Sequence, residues 1–236
     1  MDRLNEFGEL LHNPFFLLLL LVGSFQGCIW LRDKYRSQLI NPTLMTTVVV
    51  IAVLLWLDIP WQSFEKASGY LTFWLQPAVV CLAVPLYIQW QKIRSQWLPI
   101  LVSQVAGSVV GIVSGVWLSL HLGGSDELSV AIAAKSVTMP IAIEVTEKLQ
   151  GVVGITATTV LIAGVVGQVM GIWVLHKARA RQPMTQGLSM GTASHALGTV
   201  RVMSMGQRYV AYASVGLILN GVLTAFLAPV LVPYLL

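Results

Sequence analysis

The chain has 236 residues, 56% of them hydrophobic and 10% charged, with a formal net charge of +4. Soluble domains carry about 25% charged residues, so this composition cannot coat a water-facing surface and excludes a soluble globular protein. No basic helix, stacked aromatic patch or nucleic-acid motif is present, so no nucleic-acid partner is expected.

The first 13 residues are acidic, with Asp2, Glu6 and Glu9 against Arg3. A cleavable signal needs a basic leader and a small-residue cleavage site. They therefore read as a short extracytoplasmic leader before a retained first span, within one integral membrane domain covering 1–236. Six apolar runs follow, at residues 14–31, 39–57, 70–90, 97–120, 152–175 and 209–236, near or above the roughly 20 residues a crossing helix needs. The second opens on Asn41-Pro42, a turn or helix-start signal. The third holds Gln76-Pro77 and Pro85 and is expected to be discontinuous. Two weaker segments, 128–150 and 187–205, are rich in Ser, Thr, Ala and Gly and carry ionisable groups.

Ten of the 14 basic residues fall in four places: Arg32, Lys34 and Arg36; Lys92 and Arg94; Lys177, Arg179 and Arg181; Arg201 and Arg208. The remaining linkers are acidic, with Asp58 and Glu65 against Lys66, then Asp126 and Glu127. The positive-inside bias makes the basic linkers cytoplasmic and the N-terminus external. Parity then requires the segment 128–150 to leave and return on the outer side, and 187–205 on the inner side. Each is a re-entrant hairpin or a surface helix, and composition favours re-entry. Lys135-Ser136-Val137-Thr138-Met139-Pro140 places a cation, two hydroxyls and a helix-breaking proline inside an apolar stretch. Residues 191–199 are similarly small and polar. Broken backbone at membrane depth is tolerated where protein buries it or it lines a wet cavity. Inverted-repeat transporters build midplane sites from such segments. The fold expected is an all-α polytopic membrane protein with six or more spans, two re-entrant or broken-helix segments from opposite faces, and an inverted-repeat, transporter-like architecture.

A charge at bilayer centre costs about 2.5–3.5 kcal/mol even on lenient scales, which makes Lys135 and Glu144 pathway candidates. Glu144 reads equally well as a solvated surface carboxylate. Lys135 with Ser136 and Thr138 offers a donor set suited to a small carboxylate. His195 suits a proton relay or a hydrogen-bonded structural role. Arg201 would hold a carboxylate or merely mark the inner face. Ser103, Gly107, Gly111 and Gly115 recur every four residues, and Gly167 and Gly171 form a GxxxG pair; both read as helix-packing surfaces. The tryptophans near run ends read as interface anchors. Cys28 and Cys81 lie inside apolar runs and read as buried hydrophobes, not a disulfide or metal pair. No HExxH, CxxC, GxSxG or phosphate-cradling loop is present, so neither enzyme activity, metal nor cofactor is expected.

Four stretches closely resemble the signatures of the LrgB/CidB family: Asn41-Pro42; Leu75-Gln76-Pro77-Ala78-Val79 with Pro85-Leu86-Tyr87; Lys135 through Ala142; and Met190 through Thr199. The likeness covers everything beyond the acidic leader. It implies a bacterial inner-membrane protein, labelled antiholin-like, a modulator of murein hydrolase export or activity and of lysis, with an LrgA/CidA-type partner subunit. It also implies similarity to the C-terminal half of the plastid glycolate/glycerate translocator and to pyruvate-uptake components. A pore needs only oligomerising helices, whereas a carrier needs paired polar re-entrant segments. The expected activity is therefore transport of small organic anions, with proton coupling through His195 or Glu144. Lys135, Ser136, Thr138, Pro140, Thr192, Ser194 and His195 would line the site, Asn41, Gln76 and Pro77 would face them, and Arg201 would add a contact from the cytoplasmic side. A homo-oligomer is compatible with this reading.

Overall fold

The computed structural model describes residues 13–35, 41–74, 77, 80–81 and 83–236. Residues 1–12 of the acidic leader, Arg36 and Gln76 lie outside the described residues. Every described regular element is an α-helix. The chain divides into two compact units, Met1–Cys81 and Leu82–Leu236.

The first unit contains α1 (Pro14–Tyr35), α2 (Pro42–Trp56) and α3 (Trp61–Phe73). Asn13 and Asn41 start α1 and α2 in the same way. Asn13 Oδ1 accepts from Phe15 N–H at 2.9 Å, and Asn41 Oδ1 from Thr43 and Leu44 N–H at 3.0 and 3.4 Å. A proline follows each cap, where its missing N–H costs no helical bond. Leu17, Ile59 and Ala67 form a small core, while most of α1 is exposed and apolar.

The second unit contains α4 (Ala83–Ile88), α5 (Trp90–Ser95), α6 (Trp97–His121), α7 (Asp126–Ala133), α8 (Met139–Lys148), α9 (Val153–Lys177), α10 (Pro183–Met203) and α11 (Gln207–Leu235). Among the described residues, α1, α6, α9 and α11 are long and apolar enough to cross a membrane. Their exposed Leu, Val, Ile, Phe and Trp side chains form an apolar exterior far larger than a soluble monomer presents. The six runs read from the sequence thus do not yield six long helices among these residues. The second run forms only the 15 residues of α2, about 22 Å at 1.5 Å per residue. The third is divided: α3 stops at Phe73 ahead of Gln76-Pro77, and the six-residue α4 begins at Ala83.

Both weaker segments are helical hairpins. In the first, α7 and α8 flank a non-helical stretch at 134–138. Ser125 caps α7, its Oγ accepting from Leu128 N–H. Pro140 sits in the first turn of α8, so the break lies just upstream of it. Beyond α8, Gly151 packs on Val130 and Thr146, and Thr146 bonds Thr156 of α9 at 2.8 Å. The hairpin therefore returns to the end of the unit where it began.

The second hairpin is concealed within α10. Ser194 (φ −131°, ψ 16°) and His195 (φ 42°, ψ −131°) leave helical geometry. His195 adopts the backbone of the first central residue of a type II′ turn, ordinarily a glycine position. Eight residues of straight helix would separate Met190 from Gly198 by about 12 Å, yet a Cβ on Gly198 would overlap the Met190 carbonyl. Met190 and Val202 likewise share one cluster with Ile172 and Ala213. The chain reverses at Ser194-His195. Ser129, Ala131, Ala134, Ala142 and Thr146 are buried in the first hairpin, and Gly187, Gly191, Ser194 and Gly198 in the second.

The first hairpin begins where α6 ends, and the second where α9 ends, so they enter this unit from opposite ends. α11 runs past both. Gly206 (φ 120°) makes the turn into it, a conformation only glycine adopts without strain. The N-terminal half of α11 packs on the second hairpin through Tyr212, Val215 and Leu188. Its C-terminal half packs on the first through Ala228, Val232, Val130 and Val145.

Candidate functional site

The two hairpin tips meet at one side chain. Asn220 is the fourteenth of the 29 residues of α11, and 2% exposed. Its Nδ2 donates to Ser136 O of the first tip and to Thr192 O of the second, both at 3.0 Å. Its Oδ1 accepts from Ser108 Oγ of α6 at 2.7 Å. Backbone carbonyls only accept, so these partners fix which end of the amide is nitrogen. Both N–H groups are satisfied.

Two cavities lie on either side of this meeting point. One, of about 520 Å³, runs from Pro99 and Met184 to the tips. It is lined by the N-terminal half of α6 and the first arm of the second hairpin. The other, of about 900 Å³, runs from Gly123 and Leu128 to the tips. It is lined by the C-terminal half of α6, the first hairpin and α9. Both linings include Gly111, Ser136 and Ala193. Those three residues form the floor between them.

Glycine stripes on α6 and α9 seat the tips. A Cβ on Gly115 would overlap Lys135 Nζ, one on Gly107 would touch Thr192 Cγ2, and Ser136 Oγ lies over Gly111. On α9, Gly164 receives the His195 ring, Gly167 the Ser194 side chain and Gly171 the Met190 thioether. These stripes seat hairpin side chains, a more particular role than helix packing.

Lys135 is half-buried in the larger cavity, its Nζ donating to Gly111 O at 2.9 Å. The absent side chain at Gly115 opens that carbonyl to it. Among the described residues the one ion pair is Arg32–Asp33, so no described carboxylate neutralises Lys135. Ser136 and Ser194 share its cavity. Thr192 lines the smaller one, its Oγ1 2.8 Å from Gln104 Oε1 and 2.7 Å from Leu188 O. One hydroxyl hydrogen cannot serve both oxygens. Turning the Gln104 amide over lets Nε2 donate to Thr192, which then donates to Leu188.

The other predicted residues lie elsewhere. His195 is buried against α9, with Nε2 3.1 Å from Val160 O; since that oxygen only accepts, Nε2 carries the proton. Thr138 stands at the N-cap position of α8 without a side-chain cap bond and is half-buried, Pro140 is exposed in the first turn, and Glu144 is exposed on the same helix. Arg201 is half-buried on the second arm of the second hairpin. None of these lines either cavity. Asn41 caps α2 and Pro77 is helical and exposed, both in the first unit.

Sequence reasoning missed Asn220, Ser108 and Gln104. A signal existed: Asn220 is a lone amide in the middle of the most apolar run. Gln104 and Ser108 share the helical face of Gly107, Gly111 and Gly115.

The profile of the LrgB-like family matches residues 22–234. A Haemophilus influenzae protein described as uncharacterized is 34% identical over 210 residues, 89% of this chain and 91% of the relative. Bacillus subtilis YxaC, also described as uncharacterized, is 33% identical over 216 residues, covering 92% and 94%. A Staphylococcus aureus relative named holin-like protein CidB is 31% identical over 217 residues, with the same coverage. No solved structure gives a significant match.

Proposed function

We propose that this chain, which belongs to the LrgB-like family, carries small organic anions of the glycolate, glycerate or pyruvate type across the bacterial inner membrane. The observation that carries this reading is Lys135: a cation without a described carboxylate partner, held on a hairpin tip in a cavity it shares with Ser136 and Ser194. A carboxylate entering there gains a charge-assisted donor and two hydroxyls in place of its hydration. The cavity walls are otherwise mostly apolar, which suits a short monocarboxylate.

In this reading both hairpins are re-entrant, from opposite faces, with the N-terminus outside. Each follows a long glycine-striped helix, α6 or α9, and that recurrence supports an inverted repeat. Proton coupling would fall to His195, which touches α9 behind the tip, more naturally than to the exposed Glu144. Arg201 would draw anions toward the inner face.

The test is uptake of labelled glycolate and pyruvate by proteoliposomes. Lys135→Ala abolishes uptake at unchanged expression, and Lys135→Arg retains part of it. Uptake unaffected by Lys135→Ala removes the lysine from the site. A second reading rests on the name of the CidB relatives: a holin-like regulator of murein hydrolase export and lysis, acting with an LrgA/CidA-type subunit. Release of markers irrespective of charge or size in the same vesicles favours it.

A further inference from the structure

We infer that Asn220 is the positioning residue that closes the path between the two cavities, by holding both hairpin tips across the floor formed by Gly111, Ser136 and Ala193. The inference goes beyond the carrier reading and rests on it only for the purpose such a barrier serves.

Pro99 and Leu122, at the far ends of the two linings, are separated by about 35 Å of helix. That exceeds the roughly 30 Å of a hydrocarbon core. Two cavities of these depths, joined end to end, would make a continuous aqueous path. Where their linings coincide stand Gly111, Ser136 and Ala193, all small residues. That floor depends on where the tips sit. Ser136 lies on non-helical backbone and Thr192 two residues ahead of the break at Ser194-His195, and backbone carbonyls at such places need donors from outside the helix. Asn220 supplies one N–H to each tip, while Ser108 fixes its oxygen from α6. One side chain thereby ties three elements at the level where the cavities meet. Each tip also has its own bond to α6, Lys135 to Gly111 O and Thr192 to Gln104, but these hold the tips one at a time, whereas Asn220 reaches both at once. Loss of the amide donors leaves two buried carbonyls unpaired, and the tips separate to hydrate them.

The test reads sidedness and uses no substrate. In full-length protein with Cys28→Ser and Cys81→Ser, a single cysteine is placed in each cavity, Ser189→Cys in the smaller and Ser114→Cys in the larger. Right-side-out and inside-out vesicles are treated with a membrane-impermeant maleimide. With Asn220 present, each cysteine reacts from one face only, and the two faces are opposite. Asn220→Leu, close in volume but without donors, raises wrong-face labelling at least about tenfold, as expected when two buried hydrogen bonds are lost. Asn220→Gln, which keeps the donors, restores part of the sidedness, a rescue that a purely structural role does not produce. One-sided labelling in folded Asn220→Leu overturns the inference, as does two-sided labelling of the parent. Should Asn220→Leu not yield monodisperse protein, Ser108→Ala decides: partial two-sided labelling is expected, and unchanged sidedness overturns the inference. Intact sidedness without carboxylate uptake would sink the carrier reading alone. Uptake with unchanged sidedness in the variants would sink this inference alone.

Discussion

Replacing Gly198 by alanine distinguishes a folded-back α10 from a straight one by sign. In a continuous helix Gly198 would be remote from Met190, and Gly→Ala would stabilise by up to about 1 kcal/mol through helix propensity. In the hairpin, the added Cβ lands on the Met190 carbonyl and close to Ser194 Cβ. The first obstacle is backbone and cannot rotate aside, so the cost sits at about 2–3 kcal/mol, the upper part of the range for overpacking. The net effect is a loss of about 1–2 kcal/mol after subtracting the propensity gain. At roughly 2–4 °C per kcal/mol for a chain of this size, the midpoint of thermal aggregation in detergent falls by several degrees. Gly154→Ala is the internal control, since a Cβ there meets nothing within 4 Å; it should leave the midpoint unchanged or raise it. A Gly198→Ala protein that melts at or above the parent temperature would refute the hairpin.

Two other substitutions probe the same packing. Gly115→Ala occupies the space of Lys135 Nζ and displaces it from Gly111 O while keeping its charge. Losing a charged hydrogen bond of about 1.5–3 kcal/mol lowers carboxylate uptake about tenfold or more, and unchanged uptake would show that this placement of the lysine is irrelevant. The Thr146–Thr156 contact joins the first hairpin to α9 in a buried setting. Thr146→Val alone costs about 1 kcal/mol, since it leaves Thr156 with only its long bond to Val152 O at 3.4 Å, and adding Thr156→Val recovers part of that loss; additive costs in the thermal-shift cycle would mean the hydroxyls do not depend on one another.

Hydrophobic runs and charge parity made much of the second unit legible, because burial in lipid leaves a strong periodic and compositional imprint. The long helices α6, α9 and α11 start and stop within a few residues of the runs that announced them. Parity located both hairpins, and Pro140 pointed to the first break. The second break carried no such mark, because a histidine occupies the turn position where a glycine would have announced it. Its strain, about 1–3 kcal/mol for such backbone, is offset by the ring's bond to Val160 O and its seat on Gly164. Tertiary contacts of this kind leave no local pattern. The grouping of Lys135 with Ser136 and Ser194 was readable from polarity alone. The outward position of Glu144 and Pro140 was not, since which face of a ten-residue helix turns inward depends on its neighbours.

The placement of the cation on a tip follows from the same backbone argument that explains Asn220. On an uninterrupted helix every mid-membrane carbonyl already accepts an N–H, and a lysine there finds only crowded acceptors and lipid. A break supplies a different environment: it widens into a cavity, and opposite it a glycine exposes one flank of a carbonyl on α6 that Nζ reaches as a second donor. The same break frees the carbonyl of the next residue, Ser136, which must be satisfied from elsewhere, and Asn220 supplies the missing N–H. Charge and latch are thus adjacent consequences of one interruption. In the proposed carrier, an anion drawn to Lys135 would sit one residue from the carbonyl that Asn220 holds, and binding at the lysine would be coupled to that contact through a single peptide unit.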